Sequence, residues 1–235
     1  MRDSYERFFS QGYISKDQFF EFGLSETIYA PLDKAEAAWE ELKHRIQNNQ
    51  QVFIRGFGRN SNGTHLFQAF YADVLANNQV TVDPTNNAQP TKLIRDLTGY
   101  SKTKSSKHEP IQNYQISHIF GRTKNVFAFT APWNIVYMPK MLDPFTGHEA
   151  KGLMIDEYKD RFQRQSFNHF ESLIADYNGL ITSSQLVDAI HVYLDKIEQD
   201  KTLNDKDVIK LRSSVLEELT PIILWAFSNT PVTYA

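Results

Sequence analysis

The 235-residue chain contains no cysteine. That absence removes disulfides, thiolate zinc sites and cysteine nucleophiles together, so a bound metal has to be held by oxygen or imidazole. Asp, Glu, Asn and His are the candidates that remain. Also missing is any apolar run near the roughly 18 residues of a membrane-crossing helix, and the opening residues MRDSYERFF lack the apolar core of a secretion signal. A cytoplasmic protein with no membrane association is the expectation. There is no internal repeat, no low-complexity tract and no heptad seam to mark a pairing surface. The chain does carry 41% hydrophobic and 13% aromatic residues, enough to bury a core as one large domain or two small ones.

A net charge of −3 does not by itself suggest a nucleic-acid binder, but the charge is unevenly spread. From Lys92 to Lys124 there are seven basic residues against two acidic ones, so this stretch is +5 and the remainder −8. A local basic stripe is the electrostatic footprint of phosphate binding. A solvated lysine- and serine-rich loop, YSKTKSSKHEP, is the plainer alternative for part of it.

Apolar spacing predicts the elements. Ala35, Ala38, Trp39, Leu42 and Ile46 repeat at helical intervals, with Asp33 placed as a cap. A short strand, QVFIR, runs into the loop GFGRNSNG and a second amphipathic helix with Leu66, Phe67, Phe70, Tyr71 and Val74, capped by Thr64. The loop fails both nucleotide motifs. Ser61 breaks the dinucleotide fingerprint that Gly56 and Gly58 begin, and Thr64 stands where a P-loop needs lysine. Arg55 and Arg59 remain candidate nucleic-acid contacts beside the plain reading of a surface loop. PTKLIRDLTG reads as a short helix opened by Pro90 and closed by Gly99. After Gly152 the chain reads as three helices, roughly 153–177, 184–199 and 205–227, with Ser183 or Ser184 and Asn204 or Asp205 as caps.

The most informative stretch runs from Asn113 to His148, NYQISHIFGRTKNVFAFTAPWNIVYMPKMLDPFTGH. Alternation puts Tyr114, Ile116 and His118 on one strand face and Gln115, Ser117 and Ile119 on the other. A basic loop with Gly121, Arg122 and Lys124 follows, then a second strand after Trp133–Asn134, then a short helix, PKMLD, with Pro139 as its first residue. Asn134 lies 16 positions after His118 and Asp143 a further nine. Singly, Asn134 reads as a turn residue, Asp143 before Pro144 as a turn former and His148 after Gly147 as a loop residue.

As an ordered set, these residues resemble the HNH, or ββα-metal, endonuclease superfamily. The resemblance covers about 35 of the 235 residues. It implies that His118 is a general base, that Asn134 steadies the loop carrying it, and that Asp143 and His148 hold a divalent metal, Mg²⁺ or Mn²⁺. Ser117 stands where members of the family usually have a metal-binding Asp, and the knuckle cysteines that many members carry are missing. Arg122 is placed as a phosphate clamp, with Lys102, Lys104, Lys107 and Lys124 holding the DNA backbone. The implied architecture is α+β and mainly helical. A ββα-metal unit at 111–152 would lie between an N-terminal mixed recognition region, 1–110, and a C-terminal helical region, 153–235. The implied activity is metal-dependent DNA cleavage of a restriction or antiviral-defence kind, with a homodimer needed if both strands are cut. A nucleic-acid-binding protein with a degenerate unit is the alternative.

Overall fold

The computed structural model describes residues 2–56, 64–147, 150–200 and 203–224. Helices α1 (Ser4–Ser10), α2 (Lys16–Ser25) and α3 (Leu32–Gln47) lead to strand β1 (Val52–Ile54). Next come α4 (Thr64–Val74), β2 (Val80–Val82), α5 (Ala88–Thr98), β3 (Tyr100–Ser101) and β4 (Glu109–Pro110). Strands β5 (Tyr114–His118) and β6 (Ile135–Pro139) precede a 3-10 helix, Lys140–Phe145. The chain finishes with α6 (Leu153–His169), α7 (Glu171–Ile181), α8 (Ser184–Gln199) and α9 (Asp205–Glu218). The protein is therefore α+β and mainly helical. Among the described residues the sheets are three separate two-stranded pairs: β1–β2 and β3–β4 parallel, β5–β6 antiparallel.

Most helices follow the apolar spacing. Helix α3 buries Ala35, Trp39, Leu42 and Ile46, four positions at intervals of three and four that form one stripe. Its start differs from expectation: Pro31 occupies the cap position and Asp33 lies in the first turn, where a carboxylate complements the helix dipole. Helix α5 begins two residues ahead of Pro90, and Asn87 makes no side-chain cap. The buried Asp83 does that work, accepting from the backbone N–H groups of Thr85, Ala88 and Gln89 at 2.7–3.0 Å. Gly99 ends α5 in the left-handed region (φ 78°) as its sequence position implies. Asn204 caps α9 through the Asp207 N–H.

Three predicted boundaries shift. The last helix, expected over 205–227, ends at Glu218, and residues 219–224 are not helical. The segment expected as one helix over 153–177 is two, broken at Phe170 (φ −118°, ψ 28°) with no proline or glycine there. Phe170 is fully buried in the large core, with its ring edge-on to Tyr29 at 5.9 Å, so packing breaks the helix. The short helix after β6 is 3-10 rather than α and begins at Lys140, because Pro139 is still paired with Tyr114 in the hairpin and Pro144 lies inside the helix.

The β5–β6 hairpin separates two hydrophobic clusters. Ile116, Ile135 and Tyr137 face a large core with Trp39, Trp133, Phe70 and the apolar faces of α7, α8 and α9. Val136, Met138 and Ile119 face a smaller, aromatic one made by Phe19, Phe20, Phe145, Tyr158 and Phe162 from α2, the 3-10 helix and α6. The large core draws residues from each of the stretches 1–110, 111–152 and 153–235. Gly56 has its own packing reason: a Cβ there would lie 1.8 Å from Cγ1 of Val82, so β1 leaves the sheet by a step only glycine fits.

Tyr158 is fully buried in the aromatic core, and its hydroxyl has no hydrogen-bond partner among the described residues. An unmet buried hydroxyl costs about 1–3 kcal/mol. Tyr158→Phe is therefore expected to stabilise the protein by about 1 kcal/mol in urea unfolding, whereas a loss of that size would mean the hydroxyl is bonded.

Candidate active site

The hairpin register sets the site. Tyr114 lies opposite Pro139 at one end and His118 opposite Ile135 at the other. One further bond, from Ile119 N–H to the Asn134 carbonyl (2.9 Å), ends the ladder, and the residues between must return as a loop. Asn134, fully buried, closes that loop from inside. Its Oδ1 accepts from Phe120 N–H at 2.9 Å, and its Nδ2 donates to the carbonyls of Gly121 (2.9 Å) and Ala128 (3.0 Å). A primary amide offers an acceptor and two donors from one group, which a carboxylate or hydroxyl cannot match here. Gly121 and Arg122 then turn through the left-handed region at φ 68° and 53°. Glycine adopts it freely; for arginine it costs about 1–2 kcal/mol.

His118 stands half-buried at the mouth of this loop, its ring stacked on Phe129 (centroids 5.3 Å apart, 14° between planes). Its Nε2 lies 3.0 Å from the Phe129 carbonyl oxygen. A carbonyl only accepts, so Nε2 carries the proton and, in the neutral ring, Nδ1 presents its lone pair. Nδ1 has no hydrogen-bond partner among the described residues. Burial pushes the imidazole from its ordinary 6.5 down to about 4, with the Phe129 carbonyl opposing, nearby Arg55 adding to the fall and Asp83 opposing it. The ring is neutral at pH 7.

The remaining candidates separate into groups. Arg55 is exposed and near His118, and its backbone N–H donates to the Thr123 carbonyl (2.9 Å), tying the end of β1 to the loop. Arg122 has its guanidinium committed inside the fold, to Thr220 O, Thr220 Oγ1, Pro221 O and Phe120 O, each at 3.0 Å. Lys124 is 7% exposed and sits over the Phe67 ring at 5.3 Å, with burial lowering its pKa. Neither side chain reaches out toward a phosphate in this arrangement. Lys102, Lys104 and Lys107 are exposed. Lys102 lies near Lys140 and Asp143, toward the Tyr114–Pro139 end of the hairpin, four strand steps or roughly 13 Å from His118.

Ser117 points to the opposite face from His118, its Oγ 3.3 Å from Thr146 Oγ1 at the end of the 3-10 helix that carries Asp143. His148 and Arg59 lie outside the described residues. Among the described residues no group of three His, Asp or Glu side chains could hold a metal ion. Both oxygens of Asp83, the carboxylate that acts on the His118 imidazole, are taken by backbone N–H groups. The described donors thus do not fit the ion that the resemblance implies.

Three contributors were not anticipated from the sequence. Asp83 fixes the start of α5 beside the imidazole. Asn125, fully buried, donates to Tyr177 Oη (3.0 Å) and to the Glu218 carbonyl (2.9 Å) while accepting from Phe127 N–H. Glu218 at the end of α9 accepts from Lys124 N–H (3.0 Å). Burial raises its carboxyl from 4.5 to about 7, against the lowering influence of Lys124 and Arg122. An aspartate before a proline, as in DPTNN, was the one available signal among these.

A buried hairpin with a pinned loop, embedded in helices, is the class of structure that carries these residues. The chain belongs to the family described as "Uncharacterised protein PM1201", whose model matches residues 30–224 and so takes in the whole hairpin and its loop. It is 41% identical over 206 residues to the Uncharacterized protein PM1201 of Pasteurella multocida (strain Pm70), covering 87% of this chain and 89% of that one. No solved structure matches the chain.

His118 and Glu218 give stability opposite slopes with pH. The depressed imidazole contributes stability that is present above about 6.5 and lost as pH falls toward 4. The raised carboxyl contributes stability that is present below 4.5 and lost as pH rises through about 7. The two oppose each other in the same window. Urea unfolding of Glu218→Gln between pH 4.5 and 6.5 should therefore show stability rising with pH more steeply than the parent, by at most about 1.4 kcal/mol per unit. His118→Asn should show the reverse, and two variants that both track the parent would refute the assignment.

Proposed function

We propose that the protein is a DNA phosphodiester hydrolase of the HNH type, acting in the cytoplasm, with His118 as the general base. One observation carries the reading. The side chain of Asn134 pins both ends of the loop around His118 while the Phe129 carbonyl fixes the imidazole tautomer and leaves the Nδ1 lone pair unengaged by the described residues. That is the arrangement a base needs, since the nitrogen that takes the proton must be bare. A water held at Nδ1 loses its proton to the ring as its oxygen attacks phosphorus, the opposite P–O bond to the sugar oxygen breaks, and that leaving oxygen takes a proton from solvent while the exposed Arg55 guanidinium holds the phosphate oxygens. An imidazole near 4 is a weak base in the free protein. An arriving phosphate supplies a neighbouring negative charge, which favours the protonated ring and brings the base closer to its ordinary strength. Substrate binding and base strength are then coupled. The exposed Lys102, Lys104 and Lys107, a strand length away, meet the backbone beyond the scissile bond, and two copies of the chain cut the two strands.

The second reading, a DNA-binding protein without catalysis, is favoured by the lack of a three-ligand metal group among the described residues. Plasmid DNA incubated with the purified protein in Mg²⁺, in Mn²⁺ and in EDTA separates the two readings and reports on the implied cation dependence. Cleavage is expected, falling about 100-fold or more in His118→Ala and about 10-fold in Arg55→Gln. Salt-dependent binding with no cleavage in any condition would leave only the second reading, and a His118→Ala variant as active as the parent would remove His118 from the chemistry.

A further inference from the structure

The loop that fixes the His118 tautomer is held from inside by Asn134 and from outside by chain nearly a hundred positions away. Residues 219–222 follow α9 without regular structure, yet the segment is anchored firmly. The Asn178 side chain of α7 pairs with both backbone groups of Ile222, donating to its carbonyl (2.8 Å) and accepting from its N–H (2.7 Å). Tyr177 Oη donates to the Thr220 carbonyl (3.2 Å). From that anchorage, five hydrogen bonds reach across to the loop. Three join Arg122 to Thr220 and Pro221, one runs from Lys124 N–H to the Glu218 carboxylate, and one from the Asn125 amide to the Glu218 carbonyl.

Arg122 is the residue in this loop whose backbone needs outside support. A non-glycine residue at φ 53° persists only where its surroundings over-determine it. Its guanidinium makes four hydrogen bonds, one back to its own loop at Phe120 O and three to the segment after α9. The connection to the imidazole is short. Glu218 holds the Asn125 side chain, the Asn125 carbonyl accepts from Phe129 N–H (2.8 Å), and the Phe129 carbonyl accepts from His118 Nε2. We propose that residues 218–222 form a positioning clamp on the His118 loop, with Arg122 and Glu218 as positioning residues that keep the imidazole in its Nε2–H tautomer. Its catalytic consequence rests on the proposed hydrolase reading; the clamp itself does not.

The test uses the full chain labelled with ¹⁵N-histidine, in the parent, in Arg122→Gln, in Thr220→Val and in Lys196→Ala. The last removes an ion pair between Asp73 and Lys196, neither of which is hydrogen-bonded to the loop, and serves as the control for ordinary destabilisation. The ring ¹⁵N shifts of His118 should report a single Nε2–H tautomer in the parent and the control, and a mixture of tautomers in Arg122→Gln. Thr220→Val, which loses one acceptor, should lie between them. In the cleavage assay Arg122→Gln should lose about 10-fold or more in kcat with KM within about twofold, the signature of a misplaced catalytic group. A folded Arg122→Gln with the parent tautomer overturns the clamp. Should Arg122→Gln fail to fold, an unchanged tautomer in Thr220→Val overturns it instead. A parent that cuts no DNA defeats the hydrolase reading, while the nitrogen shifts still decide the clamp.

Discussion

The side-chain amide of Asn134 is the constraint on which the loop around His118 depends, because no other single group there could close it. Between the two strands the chain must turn away from the ladder, run past Val126 and Phe127 in the core, and come back in register opposite Ile119. Its polar backbone groups are buried on that route and each needs a partner. Asn134 supplies three of them from one fully buried position. The remaining order in the loop builds on this. Asn125 repeats the device further out, and the tight turns at residues 122–125, 125–129 and 131–134 fill the space between the two amides.

The surrounding fold gives that loop a rigid frame from several directions. The hydroxyl of Tyr71 in α4 donates to the Lys124 carbonyl (2.8 Å), β1 contributes the Arg55 N–H, and α7 and α9 close the far side. Trp133, next to Asn134, packs edge-on to Trp39 of α3 and against Tyr177 of α7, so the second strand begins from a fixed aromatic corner. The site is thus assembled from elements far apart in the chain, and its geometry belongs to the whole large core.

Much of the fold was legible because burial imposes simple periods. The stripes of α3 and α4 follow from one face meeting the core, and Gly99 and Asn204 stop and start helices for local backbone reasons. The strand–loop–strand unit that runs from β5 through Gly121 to β6 was legible as well. What stayed hidden depends on partners distant in sequence. Arg122 and Lys124 sit in a basic stripe and look alike on paper; one is folded onto carbonyls 98 and 99 positions away and the other lies over Phe67. The break at Phe170 carries no proline or glycine and comes from packing. Asp83 is the buried cap of α5, near enough to bias the imidazole.

Ile28, just before α3, exchanges both backbone hydrogen bonds with Tyr137, at 2.8 and 3.1 Å. This two-residue bridge covers the outer rim of β6 at its midpoint. An uncovered strand of five buried apolar positions would be an adhesive template for another chain, the usual route by which short sheets recruit strands and aggregate. With Ile28 bonded at Tyr137, strand addition across the middle of β6 is blocked. Another chain that approaches β6 therefore meets the Ile28 backbone at the strand's midpoint instead of free ladder groups.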